Sequence, residues 1–190
     1  MKASDLFVRC LEAEGVEQIF GVPGEENADF MISLMDSDID FVLCRHEQGA
    51  AFAADAYGRL TGKAGVCLAT LGPGVTNLLT GIADANMDRA PVVAIIGQGS
   101  TTRQHKESHQ IMDAIGMCKP ISKWAQAVLA AENITEIVRK AFKVAETEKP
   151  GLCVIELPED IAKEEIDDTP MPPVKVRRPG ADHKAVASAA

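Results

Sequence analysis

Aromatic side chains are scarce. One tryptophan, one tyrosine and six phenylalanines make up 4% of the 190 residues, so the core must be built mostly from Val, Ile, Leu and Ala. Such a core suits a parallel sheet covered by helices. Basic residues are also in short supply: 19 Lys and Arg against 28 Asp and Glu leave a net charge of −9. That balance argues against nucleic-acid and anionic-membrane partners. No apolar run approaches the ~18 residues of a membrane span. The start, Met1-Lys2-Ala3-Ser4-Asp5, leads straight into an amphipathic pattern, with no signal peptide visible. The five cysteines contain no C-x-x-C pair. Cys44, Cys67 and Cys153 fall in strand-like apolar runs and read as buried small hydrophobes of a reducing, cytoplasmic protein.

Several motifs are missing as well. There is no G-x-G-x-x-G and no G-x-x-x-x-G-K-[ST] phosphate loop, so neither ordinary nucleotide motif explains the glycines. Ser100, Thr101, Thr102 and Ser108 lack a G-x-S-x-G setting, which removes the serine-hydrolase reading. His46, His105 and His109 form no metal-ligand pattern with paired carboxylates, and no metal ligand is assigned.

What remains is a strong alternation. Ala3, Leu6, Phe7, Cys10, Leu11 and Ala13 have helical spacing, and Gly15 is a natural stop. Apolar runs at 18–22, 41–44, 65–70, 91–97, 121–125 and 151–158 predict strands. Between them helices are expected over 27–35, 47–60, 75–87 and 111–117, and another from Asn133. Asn133 and Glu136 have the spacing of an N-cap and its N3 partner. The polar run 98–107 predicts a long loop. Six strand–helix alternations predict an α/β fold: a doubly wound, mostly parallel sheet of about six strands with helices on both faces. Residues 1–162 are expected to be one domain. Residues 163–190, with Pro170, Pro172, Pro173 and Pro179, read as a Pro-rich linker or frayed tail.

Three strand-to-helix junctions stand out: Val22-Pro23-Gly24-Glu25, Arg45-His46-Glu47, and Thr70-Leu71-Gly72-Pro73-Gly74-Val75-Thr76-Asn77. In a doubly wound sheet all three lie at the carboxyl ends of strands, the edge that binds ligands. Glycine lets the backbone approach a ligand closely, and helix-start N–H groups favour polar or anionic atoms. Each junction also has a plain reading. The glycines and prolines are what tight turns need, and Glu47 gains from the helix dipole. Glu25-Glu26, Lys163-Glu164-Glu165 and Asp167-Asp168 read as solvated charge. The alanines after Glu47, with Gly49, make a thin helix that another backbone or a partner subunit can approach.

At these junctions the chain resembles the N-terminal, pyrimidine-binding domain of thiamine-diphosphate-dependent enzymes, and within them the acetolactate synthase large (catalytic) subunits. The matching words are Phe20-Gly21-Val22-Pro23-Gly24, Arg45-His46-Glu47-Gln48, Tyr57-Gly58-Arg59-Leu60-Thr61-Gly62-Lys63, Gly72-Pro73-Gly74-Val75-Thr76-Asn77 and Pro91-Val92-Val93. His109-Gln110, Lys119-Pro120-Ile121-Ser122-Lys123, Lys149-Pro150-Gly151 and Leu157-Pro158 extend the match over residues 2–162.

The resemblance implies that Glu47 hydrogen-bonds N1′ of the thiamine diphosphate aminopyrimidine. A 2-oxo acid is then decarboxylated with the cofactor as electron sink. Gln110 would face the reaction centre as a second catalytic residue. Val22, Pro23 and Gly24 would line the pyrimidine, and Thr70, Gly72, Pro73 and Asn77 the neighbouring cofactor and subunit edge. His109, where anabolic synthases usually carry phenylalanine, together with Met112-Asp113 points to the catabolic branch, which makes acetolactate from pyruvate. The family's G-D-G…N element, which holds Mg²⁺ and the diphosphate, does not occur in these residues. The chain is therefore expected to be one domain of a longer enzyme, joined through its tail to a missing central domain, and inactive alone. FAD, if the full-length enzyme binds it, would sit mostly in that central domain. The implied partners are a second copy, in a homodimer or homotetramer through the helices starting at Glu47 and Gly74, and a neighbour's diphosphate-binding domain. Pyruvate oxidase, other 2-oxo acid decarboxylases and a non-catalytic α/β binding module stay open. Glu47 argues against glyoxylate carboligase, which has a non-acidic residue there.

Overall fold

Successive side chains of a strand point to opposite faces of its sheet, and here both faces are apolar. The structure, a computed structural model, describes residues 1–106, 108–174, 176 and 180–190. Glu107, at the end of the expected polar loop, and Pro179, one of the tail prolines, lie outside the described residues. Six strands form one sheet: β1 (Gln18–Gly21), β2 (Asp40–Leu43), β3 (Gly65–Ala69), β4 (Val92–Gln98), β5 (Trp124–Ala127) and β6 (Leu152–Pro158). Every pairing is parallel and the order is β2-β1-β3-β4-β6-β5. Burial explains that order. All positions of β3, β4 and β6 are buried, whereas β2 and β5 keep exposed or half-exposed positions and take the edges.

Val66, Leu68, Val93, Ile95, Cys153 and Ile155 face one core. Helices α1 (Ala3–Ala13), α2 (Ala28–Leu34), α6 (Ile134–Glu146) and α7 (Glu159–Lys163) cover it. Cys67, Ala69, Val92, Ala94, Ile96, Leu152 and Val154 face the other core. That one lies under α3 (Glu47–Thr61), α4 (Pro73–Met87) and α5 (Ala114–Cys118). The sheet is therefore doubly wound, as the alternation predicts. Among the described residues no helix is long and apolar enough to cross a membrane.

Boundaries differ where short-range hydrogen bonds intervene. A 3₁₀ turn, Glu25–Asn27, precedes α2, and Asn27 Oδ1 accepts from the Gly24 N–H at 2.8 Å. The expected cap at Asn133 does not form. Asn133 ends another 3₁₀ turn at φ −89, ψ −7, so its side chain is not placed to cap α6. Helix α5 starts later than expected, at the cap Asp113, whose Oδ1 accepts from the Gly116 N–H at 2.7 Å. Cys44 is half-buried, just past the end of β2. Beyond α7 the chain turns back onto the N-terminus. Glu164 accepts from the Ala3 N–H, Lys2 bridges to Glu165, and Ile166 donates to the Met1 carbonyl. The alanine-rich end, which shows no periodicity, forms an exposed helix α8 (His183–Ala189) capped by Asp182.

The thin face of α3 is used inside the chain. A Cβ on Gly65 would lie 2.0 Å from the Ala54 carbonyl oxygen, one on Gly58 2.4 Å from the Pro91 carbonyl oxygen, and one on Gly81 2.5 Å from Ala51 Cβ. Helix α3 thus sits against β3, β4 and α4 with no room for side chains between. Arg59 fixes the far end of this packing through Asp55 of its own helix and Asp84 and Asp88 at the end of α4. Gly65→Ala is expected to destabilise the chain by about 1–3 kcal/mol, the usual cost of overpacking. Urea unfolding checks this, and an unchanged midpoint would refute the close-contact account.

Candidate active site

The chain leaves β1 and β3 in opposite directions. After β1 it crosses by α2 on one face, and after β3 by α4 on the other. The crevice that opens between such strands at their carboxyl ends is the ligand edge of a doubly wound sheet. Three glycines close around Thr70 there. A Cβ on Gly24 would come within 2.6–2.9 Å of the Thr70 side chain and one on Gly74 within 3.1 Å of its Cγ2, while one on Gly97 would be 3.6 Å from its Cα. Thr70 Oγ1 donates to Glu26 Oε2 at 2.9 Å. Glu26, expected on a solvated helix start, is instead half-buried in the crevice. Val22 donates its N–H to the Leu68 carbonyl at 3.2 Å, and Pro23 stands exposed at the rim.

Glu47 is the first residue of α3. The Nδ1 of His46 caps the helix by accepting the Gln48 N–H at 3.1 Å. Because α3 is pressed against α4, Glu47 is only 9% exposed. Its Oε2 accepts from Asn77 Nδ2 of α4 at 2.9 Å. Its Oε1 has no hydrogen bond among the described residues and looks towards Gly74, where a Cβ would stand 3.6 Å away. One oxygen is thus held by an amide, and the other is left to a ligand atom over a glycine floor.

Gln110 joins the site through its backbone. It adopts φ +56, in the left-handed region. A Cβ on Gly72, itself at φ +54, would meet the Gln110 carbonyl oxygen at 2.6 Å and its Cβ at 2.8 Å. The Gln110 side chain is exposed and makes no hydrogen bond to Glu47 among the described residues. Pro73 is exposed at the first turn of α4. The structure therefore brings Glu47 to Asn77, Gly24 to Thr70, and Gly72 to Gln110. Val22 and Pro23 flank them.

Residues 1–117 match the thiamine pyrophosphate enzyme, N-terminal TPP binding domain. The chain belongs to this family. It is 46% identical over 187 residues to a probable acetolactate synthase large subunit of Methanocaldococcus jannaschii, covering 98% of this chain and 32% of that one. It is 43% identical to the catabolic acetolactate synthase of Raoultella terrigena, covering 94% of this chain and 32% of the other. It is likewise 43% identical to the large subunit of acetolactate synthase isozyme 2 of Escherichia coli, covering 85% of this chain and 29% of that subunit. The chain spans about a third of the length of these relatives. The crevice fits the pyrimidine half of thiamine diphosphate. It offers an open carboxylate oxygen to a ring nitrogen, and glycines stand where side chains would fill the cradle.

A second polar site lies beyond the ends of β4 and β6. A cavity of about 450 Å³ is lined by Gln98, Gln104, His105, Ile111, Met112, Asp113 and Glu156, among others. Glu156 is 5% exposed. Burial pushes its carboxyl up to about 7, against the lowering effect of a hydrogen bond from Gln98 and with Asp113 adding to the rise. The one visible signal for it in the sequence is an acid inside the otherwise apolar run of β6. Because the folded state holds this proton more tightly than the unfolded chain, the associated stability is complete below pH 4.5. It is lost as pH rises through about 7. Relative to Glu156→Gln, the wild type should lose on the order of 3 kcal/mol between pH 4.5 and 7. Parallel stability–pH curves for the two proteins in urea titrations would overturn the assignment.

Proposed function

We propose that this domain supplies the pyrimidine half of the active site of an acetolactate-synthase-like transferase, which joins two pyruvates into 2-acetolactate and releases CO₂. The observation that carries the reading is Glu47, a buried helix-start carboxylate with Oε2 fixed by Asn77 and Oε1 open over Gly74. When bound, thiamine diphosphate supplies the electron sink for decarboxylating the 2-oxo acid. Glu47 would hydrogen-bond the aminopyrimidine N1′ and pass a proton to and from it. Asn77 holds the carboxylate in orientation. Gly24 and Thr70 wall the ring, and Gln110 stands at the mouth on the substrate side. The relatives named as acetolactate synthases support this choice of reaction, and His109 favours the catabolic branch.

Mg²⁺ and the diphosphate belong to a further domain, contributed by a neighbouring subunit, and FAD, where present, lies outside this chain. A second copy packs against the side of α3 and α4 that faces away from the sheet, in a homodimer or homotetramer. Leu43, Phe52, Leu60 and Met87 are exposed on β2, α3 and α4, which supports such a contact. Five free cysteines suit a cytoplasmic location.

In the full-length enzyme, Glu47→Gln should lower acetolactate formation by about 10²–10⁴-fold, the range of a lost acid–base group. Folding stability should stay within about 1 kcal/mol, because no core atom is removed. A variant with intact activity would favour the non-catalytic binding module. The purified 190-residue chain should give no acetolactate from pyruvate; measurable turnover would refute the need for another domain.

A further inference from the structure

Gln98 is the last residue of β4 and is 3% exposed. An amide side chain has one acceptor oxygen and two N–H groups, and here both ends are engaged. Oε1 accepts the Gly99 N–H at 3.0 Å, while Nε2 donates to the Met112 carbonyl and to Glu156 Oε2, each at 3.1 Å. Met112 is two residues beyond Gln110. Between them Ile111 sits against Gly99, where a Cβ would meet Ile111 Cδ1 at 2.9 Å, and the Ile111 N–H donates to the Ser108 carbonyl at 3.2 Å. Gln110 is therefore clamped. Gly72 of the β3–α4 turn lies on one side, and the Gln98 anchor holds the chain just after it on the other.

Clamping is what the backbone of Gln110 needs. A non-glycine residue at φ +56 is strained and keeps that conformation only where its surroundings impose it. The side chain of Glu156 is not needed to hold its strand in the sheet. Strands β4 and β6 are already paired from Val92↔Leu152 to Gln98↔Pro158 without its side chain. An acid buried in an apolar strand costs stability unless a donor meets it, and the donor that meets it is Gln98.

We infer that Gln98, supported from behind by Glu156, is a positioning residue that sets Gln110 at the mouth of the thiamine site. The inference rests on the acetolactate-synthase-like reading above. Gln98 touches neither cofactor nor substrate and acts through the backbone of 110–112.

The test is a double-mutant cycle in the full-length enzyme with pyruvate and thiamine diphosphate. Gln98→Leu should lower kcat about tenfold, the scale of a small misplacement near a reacting centre. The half-saturating cofactor concentration should change by less than about twofold, since uniform binding is untouched. Combining Gln98→Leu with Gln110→Ala should cost no more than Gln110→Ala alone. Glu156→Gln, which keeps an acceptor for the Gln98 amide, should retain most of kcat. Glu156→Leu, which withdraws the support without touching Gln98, should not. Hydrogen–deuterium exchange of the amides at 110–113 should accelerate in Gln98→Leu and Glu156→Leu. Multiplicative losses in the double mutant, unchanged exchange in both variants, or full activity of Gln110→Ala would each overturn the inference. A fully active Glu47→Gln enzyme would instead bring down the thiamine reading on which it rests.

Discussion

The hydrogen bond from Asn77 to Glu47 joins two helices that follow different strands, and it forms because α3 and α4 lie almost backbone to backbone. Ala51 against Gly81, Gly58 against Pro91 and Ala54 against Gly65 leave no space for side chains between these elements. Three carboxylates converging on Arg59 lock the opposite end of the pair. The apolar sheet beneath supplies the driving force, and the glycines and alanines decide how near the helices can come. The carboxylate at the start of α3 therefore lies within hydrogen-bond reach of an amide one turn into α4. Several words shared with thiamine-diphosphate enzymes, such as 57–63 and 91–93, turn out to be packing words. They touch no candidate ligand group and hold the scaffold that carries Glu47.

Three buried or half-buried acids in this molecule have different partners. Glu14 is answered by the guanidinium of Arg139, an ion pair at the end of α1 away from the crevice. Burial still raises its carboxyl, with Arg139 pulling the other way. Glu156 is answered by a neutral amide, and burial holds its proton more tightly than in water although the Gln98 hydrogen bond pulls the other way. Glu47 is answered on one oxygen only. Glu14 and Glu156 are likewise met on Oε2 alone among the described residues, so what sets Glu47 apart is that its second oxygen faces the glycine floor of the crevice at Gly74.

Much of this was legible in the residues. The apolar runs of β3, β4 and β6 are short and, Glu156 apart, nearly continuous, the mark of strands buried on both faces, so the doubly wound sheet follows from them. The three junctions could be read because turn chemistry is local: Pro23-Gly24, the switch from an apolar run to the alanine-rich stretch at Glu47, and Gly72-Pro73-Gly74 each announce a strand-to-helix turn. Element ends were less legible, since 3₁₀ turns at 25–27 and 131–133 and the late cap at Asp113 are decided by short-range bonds that compete with periodicity. Glu26, Gln98 and Glu156 could not be assigned roles from the chain alone. Their partners lie 44, 14 and 58 residues away, a matter of tertiary register.

The open oxygen of Glu47 is proposed to engage the aminopyrimidine of bound thiamine diphosphate, which would make the cofactor's C2 proton labile. The most direct measurement is the exchange rate of that proton with deuterium in thiamine diphosphate bound to the full-length protein, read by quenched-flow NMR, for the wild type and for Glu47→Ala. Exchange should be slower in the variant by about 10²-fold or more, the contribution of a positioned acid–base group, with the cofactor still bound. Equal exchange rates in the two proteins at full cofactor occupancy would contradict that role of Glu47.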